Sequence, residues 1–123
     1  MRIVHFLSNV KLTGPAEPAI NLSASLKACG HDVFFVCSSP AKGVDHVKKI
    51  SSERGLDPIT NFNLNKHFNV WHNLQDWARM PAFLRKVRPD IIHAHLPNDH
   101  LLAGSAARRV DKKIRVVRSC YAN

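Results

Sequence analysis

Apolar residues follow two alternating patterns along this chain. Short apolar runs, such as residues 3–7 and 32–37, are typical of strands buried in a parallel sheet. Longer segments repeat apolar residues every three or four positions, as amphipathic helices do. The alternation predicts strands at residues 3–7, 32–37, 58–62, 90–94 and 114–117, separated by helices at residues 15–28, 41–54, 68–88 and 99–110.

Strands separated by helices form parallel βαβ units with right-handed crossovers. We therefore predict one α/β domain over residues 1–123, Rossmann-like and three-layered (α/β/α), with a five-stranded parallel sheet in the order 3-2-1-4-5. In that order the first and fourth strands are neighbours whose helices leave on opposite faces, and ligands of this architecture bind at such a point. The loops after those strands, residues 8–14 and 95–98, are expected to converge there, within about 15 Å of each other.

Glycine and proline mark the ends of the predicted helices. Gly30 and Gly55 each follow a helix, where glycine accepts the left-handed backbone that ends it. Pro81 falls inside the third predicted helix and is expected to kink or divide it. Asn98 and Asp99 are expected to cap the last helix.

Composition and charge narrow the classes of function. Lys and Arg outnumber Asp and Glu by 18 to 9, and the resulting net charge of +9 favours an anionic partner. Two explanations stay open, an anionic membrane surface and compensation of helix dipoles, because the basic clusters fall near predicted helix ends. No nucleic-acid motif accompanies them. The first residues are too short for a signal peptide, so we expect a cytoplasmic protein.

Cysteine and histidine form no recognisable metal motif. Cys29, Cys37 and Cys120 lack metal-ligand spacing and are predicted to be free thiols. Of eight histidines only His93 and His95 are close, and at this spacing they point to the same face of a strand. Two ligands do not close a zinc site, so no metal is expected.

Two positions are candidates for ligand binding. His95 ends the string that begins at Arg88, which combines a helix end, a proline turn and a buried strand. It could hydrogen-bond a substrate oxygen, act as a general base, or only end the strand. Gly14 permits a sharp turn before a helix start, where free amides bind anions, and an ordinary turn is the alternative. A single glycine there does not fit a dinucleotide motif, so NAD or FAD is not expected.

Three stretches of the chain resemble the N-terminal half of GT-B glycosyltransferases of group 1 (family 4). The first is the strand at residues 1–8 followed by Thr13-Gly14. The second, Asn21-Leu22, Leu26 and Gly30-His31-Asp32-Val33, is similar to the family's N-L-A-x-x-L-x-x-x-G-H-E-V. The third, Arg88-Pro89-Asp90-Ile91-Ile92-His93-Ala94-His95, is close to R-P-D-[IV]-[IV]-H-A-H.

The resemblance implies an enzyme of hexosyltransferase type with two facing Rossmann-like domains. The N-terminal domain would hold a carbohydrate or lipid-linked acceptor and the C-terminal domain the nucleotide-sugar donor, with no cofactor or active-site metal. Thr13 and Gly14, where the family has Gly-Gly, would lie against the donor phosphates or sugar. His95 would contact the transferred sugar, in cell-envelope polysaccharide or glycolipid synthesis.

The chain departs from the family in what it lacks. The family's C-terminal glutamate pair is missing, since the only glutamates are Glu17 and Glu53. We therefore expect a domain truncated before its usual end and inactive without its donor-binding partner domain. A non-catalytic Rossmann-like binding module, or a truncated remnant, stays open as the alternative.

The resemblance and the basic surface lead to three further expectations. The enzyme would lie on the inner face of the membrane. Trp71, Phe68 and His72 could line an acceptor groove, although Trp71 and Phe68 are expected to pack into the core. The fifth predicted strand would leave an unpaired edge that promotes self-association.

Overall fold

The computed structural model describes residues 1–8, 16–38, 46–64 and 69–119. The elements within these residues, in chain order, are β1 (Arg2–Leu7), α1 (Ala16–Ala28), β2 (Asp32–Cys37), α2 (His46–Glu53), α3 (Val70–Val87), β3 (Ile91–Ala94), α4 (Pro97–Val110) and β4 (Arg115–Arg118). This alternation of strands and helices confirms the predicted α/β class. Among the described helices, none combines the length and hydrophobicity that a bilayer crossing requires.

The strands form one parallel sheet in the order β2-β1-β3-β4. The order agrees with the predicted Rossmann-like arrangement, in which β3 and β4 are the fourth and fifth predicted strands. The predicted third strand is reduced to a single parallel bridge between Ile59 and Val36. The bridge lies beside β2, where the predicted order places it. The bridge consists of two hydrogen bonds: the N–H of Ile59 donates to the carbonyl of Phe35 at 2.8 Å, and the carbonyl of Ile59 accepts the N–H of Cys37 at 3.0 Å.

The two faces of the sheet are covered by different helices. Val4 and Phe6 of β1 pack with residues of α3 and α4, including Met80 and Leu102. Leu7, on the opposite face, packs with α1 residues and with buried residues of β2. Since side chains alternate along a strand, His5 shares the face of Leu7. The sheet is therefore the middle of three layers, and α1 and α4 lie on opposite sides of it.

The third predicted helix is not divided at Pro81. α3 begins after Asn69, whose side-chain oxygen accepts the N–H of His72 at 3.0 Å, and it continues through Pro81. A proline removes the N–H that would bond the carbonyl four residues earlier, here that of Trp77. Arg109 of α4 donates to that carbonyl at 3.1 Å, and its guanidinium lies 3.8 Å from the centroid of the Trp77 ring. A neighbouring helix thus replaces the lost hydrogen bond.

The predicted core packing of Trp71 is wrong. Its side chain is 75% exposed on the outer face of α3, and His72 is exposed as well. The buried positions of α3 are Asn73, Asp76, Met80, Pro81 and Leu84. Two of these are polar, so the helix is rotated away from the orientation that its apolar residues alone predict. Phe68 lies outside the described residues.

Asp76 fastens the segment before α3 to the helix, and its loss should destabilise the fold. Its carboxylate is fully buried and accepts the backbone N–H groups of Asn63 and Leu64, each at 2.8 Å. Asp76→Ala leaves both donors unpaired, so we expect the free energy of unfolding to fall by about 3 kcal/mol in urea titration. The exposed Asp57→Ala serves as the control, with a change within about 0.5 kcal/mol. Equal losses for the two variants would contradict this role.

Candidate functional site at the adjoining ends of β1 and β3

The carboxyl ends of β1 and β3 lie side by side. The N–H of His95 donates to the carbonyl of Phe6 at 3.1 Å, which extends the pairing of the two strands by one bond. The N–H of Ser8, at the start of the first loop, donates to Asp99 Oδ2 at 3.0 Å in the first turn of α4. The predicted convergence of the two loops is thus confirmed at Ser8. Residues 9–15, which include Thr13 and Gly14, lie outside the described residues.

The first turn of α4 is built differently from the prediction. Leu96 occupies the N-cap position without a side-chain capping bond, and Pro97 takes the first helical position. Neither Asn98 nor Asp99 is therefore the N-cap residue, although Asp99, at the third helical position, accepts a hydrogen bond from the backbone of Leu96. Asn98 instead exchanges hydrogen bonds of 2.9 and 3.2 Å with Asn73 of α3. The buried amide pair ties the two helices together next to the candidate site.

Three imidazoles lie together on the face of the sheet that α1 covers. His5 of β1 is opposite His93 of β3 in the strand register, and His95 follows two residues later on the same face. The ring centroids are 5.1 Å apart for His5 and His93, 5.3 Å for His5 and His95, and 4.2 Å for His93 and His95. His5 Nδ1 and His95 Nε2 share a hydrogen bond of 3.0 Å, and His93 Nε2 is 2.5 Å from Ser119 Oγ.

His5 was not among the predicted site residues, although the sequence held a signal for it. It is in the middle of the first predicted strand, and the predicted order makes that strand a neighbour of the one carrying His93. Only the register was missing, and the register decides which residues face each other. The structure supplies it by pairing His5 with His93.

Burial keeps the imidazoles neutral. His5 and His95 are 0% and 1% exposed, and loss of hydration lowers the pKa of each from 6.5 to about 3; repulsion between protonated rings, mainly from His93, adds to the effect. Burial also lowers the pKa of the half-buried His93. A neutral imidazole has one N–H and one lone pair. The group can therefore donate to an oxygen or offer lone pairs to a cation at neutral pH.

Asp99 responds to burial in the opposite direction. Burial raises the pKa of its carboxyl to about 7, against hydrogen bonds from Ser8 and the backbone of Leu96 that favour the charged form. Ser8 Oγ and Asp99 Oδ1 have no hydrogen-bond partner within the described part of the chain. The end of β1 therefore contains polar atoms that could bind a ligand or a proton.

A second feature, a groove of about 330 Å³, runs between α3 and α4. Its lining is apolar apart from Asn73 and Ser105: Val70, Leu74, Trp77, Leu101 and Leu102. Several of these side chains are largely exposed, and Trp71 stands next to them on α3. A larger cavity of about 910 Å³, lined in part by Arg88, Asp90 and Arg115, opens at the other end of the strands. It is far from the carboxyl ends, where such sheets bind ligands.

The buried histidines and Asp99 should produce opposing effects of pH on stability. Unfolded histidines take up protons below pH 6.5, whereas His5 and His95 resist until about pH 3, so stability falls by roughly 1 kcal/mol per pH unit for each as the pH drops. The raised pKa of Asp99 stabilises the fold at low pH, and this contribution is lost as the pH rises from 3.8 to about 7. Asp99→Asn removes it. We therefore expect a steeper loss of stability from about pH 6.5 to 4 in urea titrations of this variant. An unchanged or flatter slope would contradict the buried state of Asp99.

Two solved structures share the fold of this chain. A glycosyltransferase from Rickettsia africae ESF-5 matches 95% of this chain with a TM-score of 0.68 at 17% identity. MurG of Acinetobacter baumannii also matches 95% of it, with a TM-score of 0.71 at 12% identity. The chain spans 28% and 34% of their respective lengths. No curated protein sequence matches it.

The sequence itself carries a family signature. The sequence model described as Glycosyltransferase Family 4 matches residues 14–122. That range includes the H-A-H string at the end of β3 and the whole of α4, and it leaves out only β1, most of the first loop and the last residue. The chain therefore belongs to glycosyltransferase family 4.

Proposed function

We propose that this chain is the N-terminal, acceptor-side domain of an enzyme that transfers a sugar, of hexosyl type, from a nucleotide-sugar donor to an acceptor hydroxyl. The observation that carries the proposal is the position of His95, at the carboxyl end of β3 beside β1, in a chain of this family. Ligands of open α/β sheets bind at such a point, where neighbouring strands send their helices to opposite faces. The donor-binding half would come from a second domain facing this edge.

The surroundings of His95 suit a contact with an uncharged sugar. Its pKa of about 3 keeps the imidazole neutral, so it can hydrogen-bond a hydroxyl at physiological pH without carrying a charge. His5 holds one ring nitrogen at 3.0 Å and thereby fixes the orientation of the ring. A pre-oriented donor costs little reorganisation when the transition state forms. Thr13 and Gly14 are proposed to let the backbone approach the donor phosphates or sugar.

The apolar groove between α3 and α4 favours two proposals: that the acceptor is apolar or lipid-linked, and that the protein binds an anionic membrane. Trp71, Val70 and Leu74 expose 75%, 57% and 52% of their surface along one side of α3. Arg108 and Arg109 lie in the last turn of α4, and Arg109 stacks on Trp77. Exposed aromatic residues next to basic ones fit the interface between lipid headgroups and acyl chains. We propose a cytoplasmic protein that docks on the inner membrane face during cell-envelope polysaccharide or glycolipid synthesis.

The sugar contact predicts a specific loss of turnover. In the complete enzyme, His95→Ala should lower kcat by about 100-fold to 1,000-fold, the range found when one donor to a transition-state oxygen is removed. His95→Gln keeps a hydrogen-bond donor and should recover part of that loss. His31→Ala, at the opposite end of the sheet, is the matched control and should retain turnover. Near-normal turnover of a folded His95→Ala enzyme would refute the assignment.

Membrane docking predicts that binding to vesicles depends on both lipid charge and Trp71. The chain should co-sediment with phosphatidylglycerol-containing vesicles and much less with pure phosphatidylcholine. Trp71→Ala should weaken binding about tenfold, since it removes one large apolar side chain from the contact. Leu22→Ala, which alters a leucine that is 40% exposed on α1, should bind like the unmodified chain. Equal binding to both vesicle types would contradict membrane docking through basic charge. Compensation of helix dipoles would then be the remaining explanation of the basic residues.

A further inference from the structure

The proposed sugar contact uses His95 and its hydrogen bond with His5, and it does not explain why a third imidazole, that of His93, lies beside them. His5, His93 and His95 each offer a ring nitrogen, and these three nitrogens all lie within 4.8 Å of one another. Other positions on this face of the sheet, such as Leu7 and Phe35, are buried apolar residues of the core. Three adjacent histidines are thus an exception in an apolar layer. Burying them costs free energy of hydration, which apolar residues at the same positions would not cost.

The strand register builds this cluster into the backbone. His93 and His95 are two residues apart on β3, and His5 is opposite His93 on β1, so all three side chains leave one face of the sheet. A histidine pair on one strand and a third histidine on its neighbour surround a common point. Three histidines with one open position are a donor set that binds zinc in proteins. The expectation that no metal binds was based on two of these three ligands.

The distances are close to those of a metal site. Zinc–nitrogen bonds of about 2.0–2.1 Å place two ligands of a tetrahedral site about 3.3 Å apart. His5 Nδ1 and His95 Nε2 are already 3.0 Å apart. The widest spacing, 4.8 Å, must close by roughly 1.5 Å for tetrahedral coordination, and the stacked rings must turn for this. His93 is the half-buried member of the group, and turning its ring would break its contact with Ser119 Oγ.

The cluster also contains an unsatisfied buried atom. His5 Nε2 is fully buried and has no hydrogen-bond partner among the residues that the structure describes. An unpaired buried nitrogen is unfavourable, so His5 Nε2 is a second candidate ligand atom beside His5 Nδ1.

We propose that His5, His93 and His95 together bind one divalent transition-metal ion of the zinc or cobalt type, with the fourth position open on the His93 side. Imidazole ligands select such ions over magnesium or calcium, which prefer oxygen. The ion would join β1 to β3 directly below the proposed sugar contact. This site goes beyond the proposed function. It shares His95 with the proposed sugar contact, but metal binding is measured without any sugar nucleotide, so the two proposals can fail separately.

Cobalt titration of the purified chain tests the site. Co²⁺ should bind with a stoichiometry of one and give the intense visible absorption of tetrahedral coordination, without a thiolate charge-transfer band from the cysteines. Zn²⁺ should displace it. His93→Ala, which changes the half-buried ring, and His5→Gln, which nearly preserves volume, should each weaken binding by at least about a hundredfold, since even outer-shell changes cost 10-fold to 100-fold. Circular dichroism checks that both variants are folded.

His31→Ala is the matched control. The N-terminal amine and His31 Nδ1 are 3.3 Å apart and form a second pair of nitrogen ligands on the chain. The proposal requires His31→Ala to bind Co²⁺ like the unmodified chain. It is overturned if no tetrahedral signal develops, if binding persists in folded His93→Ala and His5→Gln, or if it disappears in His31→Ala.

Discussion

β1 lies in the middle of the sheet, hydrogen-bonded to β2 on one side and to β3 on the other, and every side chain after Arg2 is buried. This double pairing fixes the register of the sheet and brings the ends of β1 and β3 together. It also sends α1 and α4 to opposite faces. The edge between these helices, where Ser8 contacts Asp99, exists only because β1 is central. The candidate site is thus a consequence of strand order before any particular side chain contributes.

Polar groups buried near that edge connect distant parts of the chain. Asp99 binds the end of β1, and the Asn73–Asn98 pair joins α3 to α4. The imidazoles of His5 and His95 join β1 to β3. Buried polar groups weaken a fold unless they are paired, and among the residues that the structure describes the pairing is incomplete at His5, Ser8 and Asp99. Proteins accept such local conflicts mainly where they bind ligands.

Local sequence patterns predicted the parts of the fold that local physics decides. The spacing of apolar residues located the four strands of the sheet, and Gly30 and Gly55 ended helices with the left-handed backbone expected of them. The predictions that were wrong depend on contacts between distant residues. Pro81 does not divide α3, where Arg109 of another helix replaces the missing donor. Trp71 is exposed because Asn73 and Asp76 take the buried face of its helix.

In the candidate site, too, the local features were predicted from the sequence and the long-range contacts were not. His95 was identified from its place at a strand end, and its proximity to the first loop followed from the predicted strand order. His5 could not be joined to it without the register of β1 against β3, which no local pattern specifies. Asp99 was expected only to cap a helix. Its contact with Ser8 joins residues 91 positions apart, and local sequence patterns do not predict such a contact. Both missed contacts are the buried, long-range contacts that define the site.

The central claim, that the transferred sugar binds where β1 and β3 end, is tested most directly by a crystal structure of the complete enzyme with its nucleotide-sugar donor. The claim predicts a ring nitrogen of His95 within about 3 Å of a sugar oxygen, at hydrogen-bond distance. It also predicts that Ser8 and the first turn of α4 border the same cleft. A donor sugar bound at another edge of the sheet, with His95 still buried and out of contact, would contradict it.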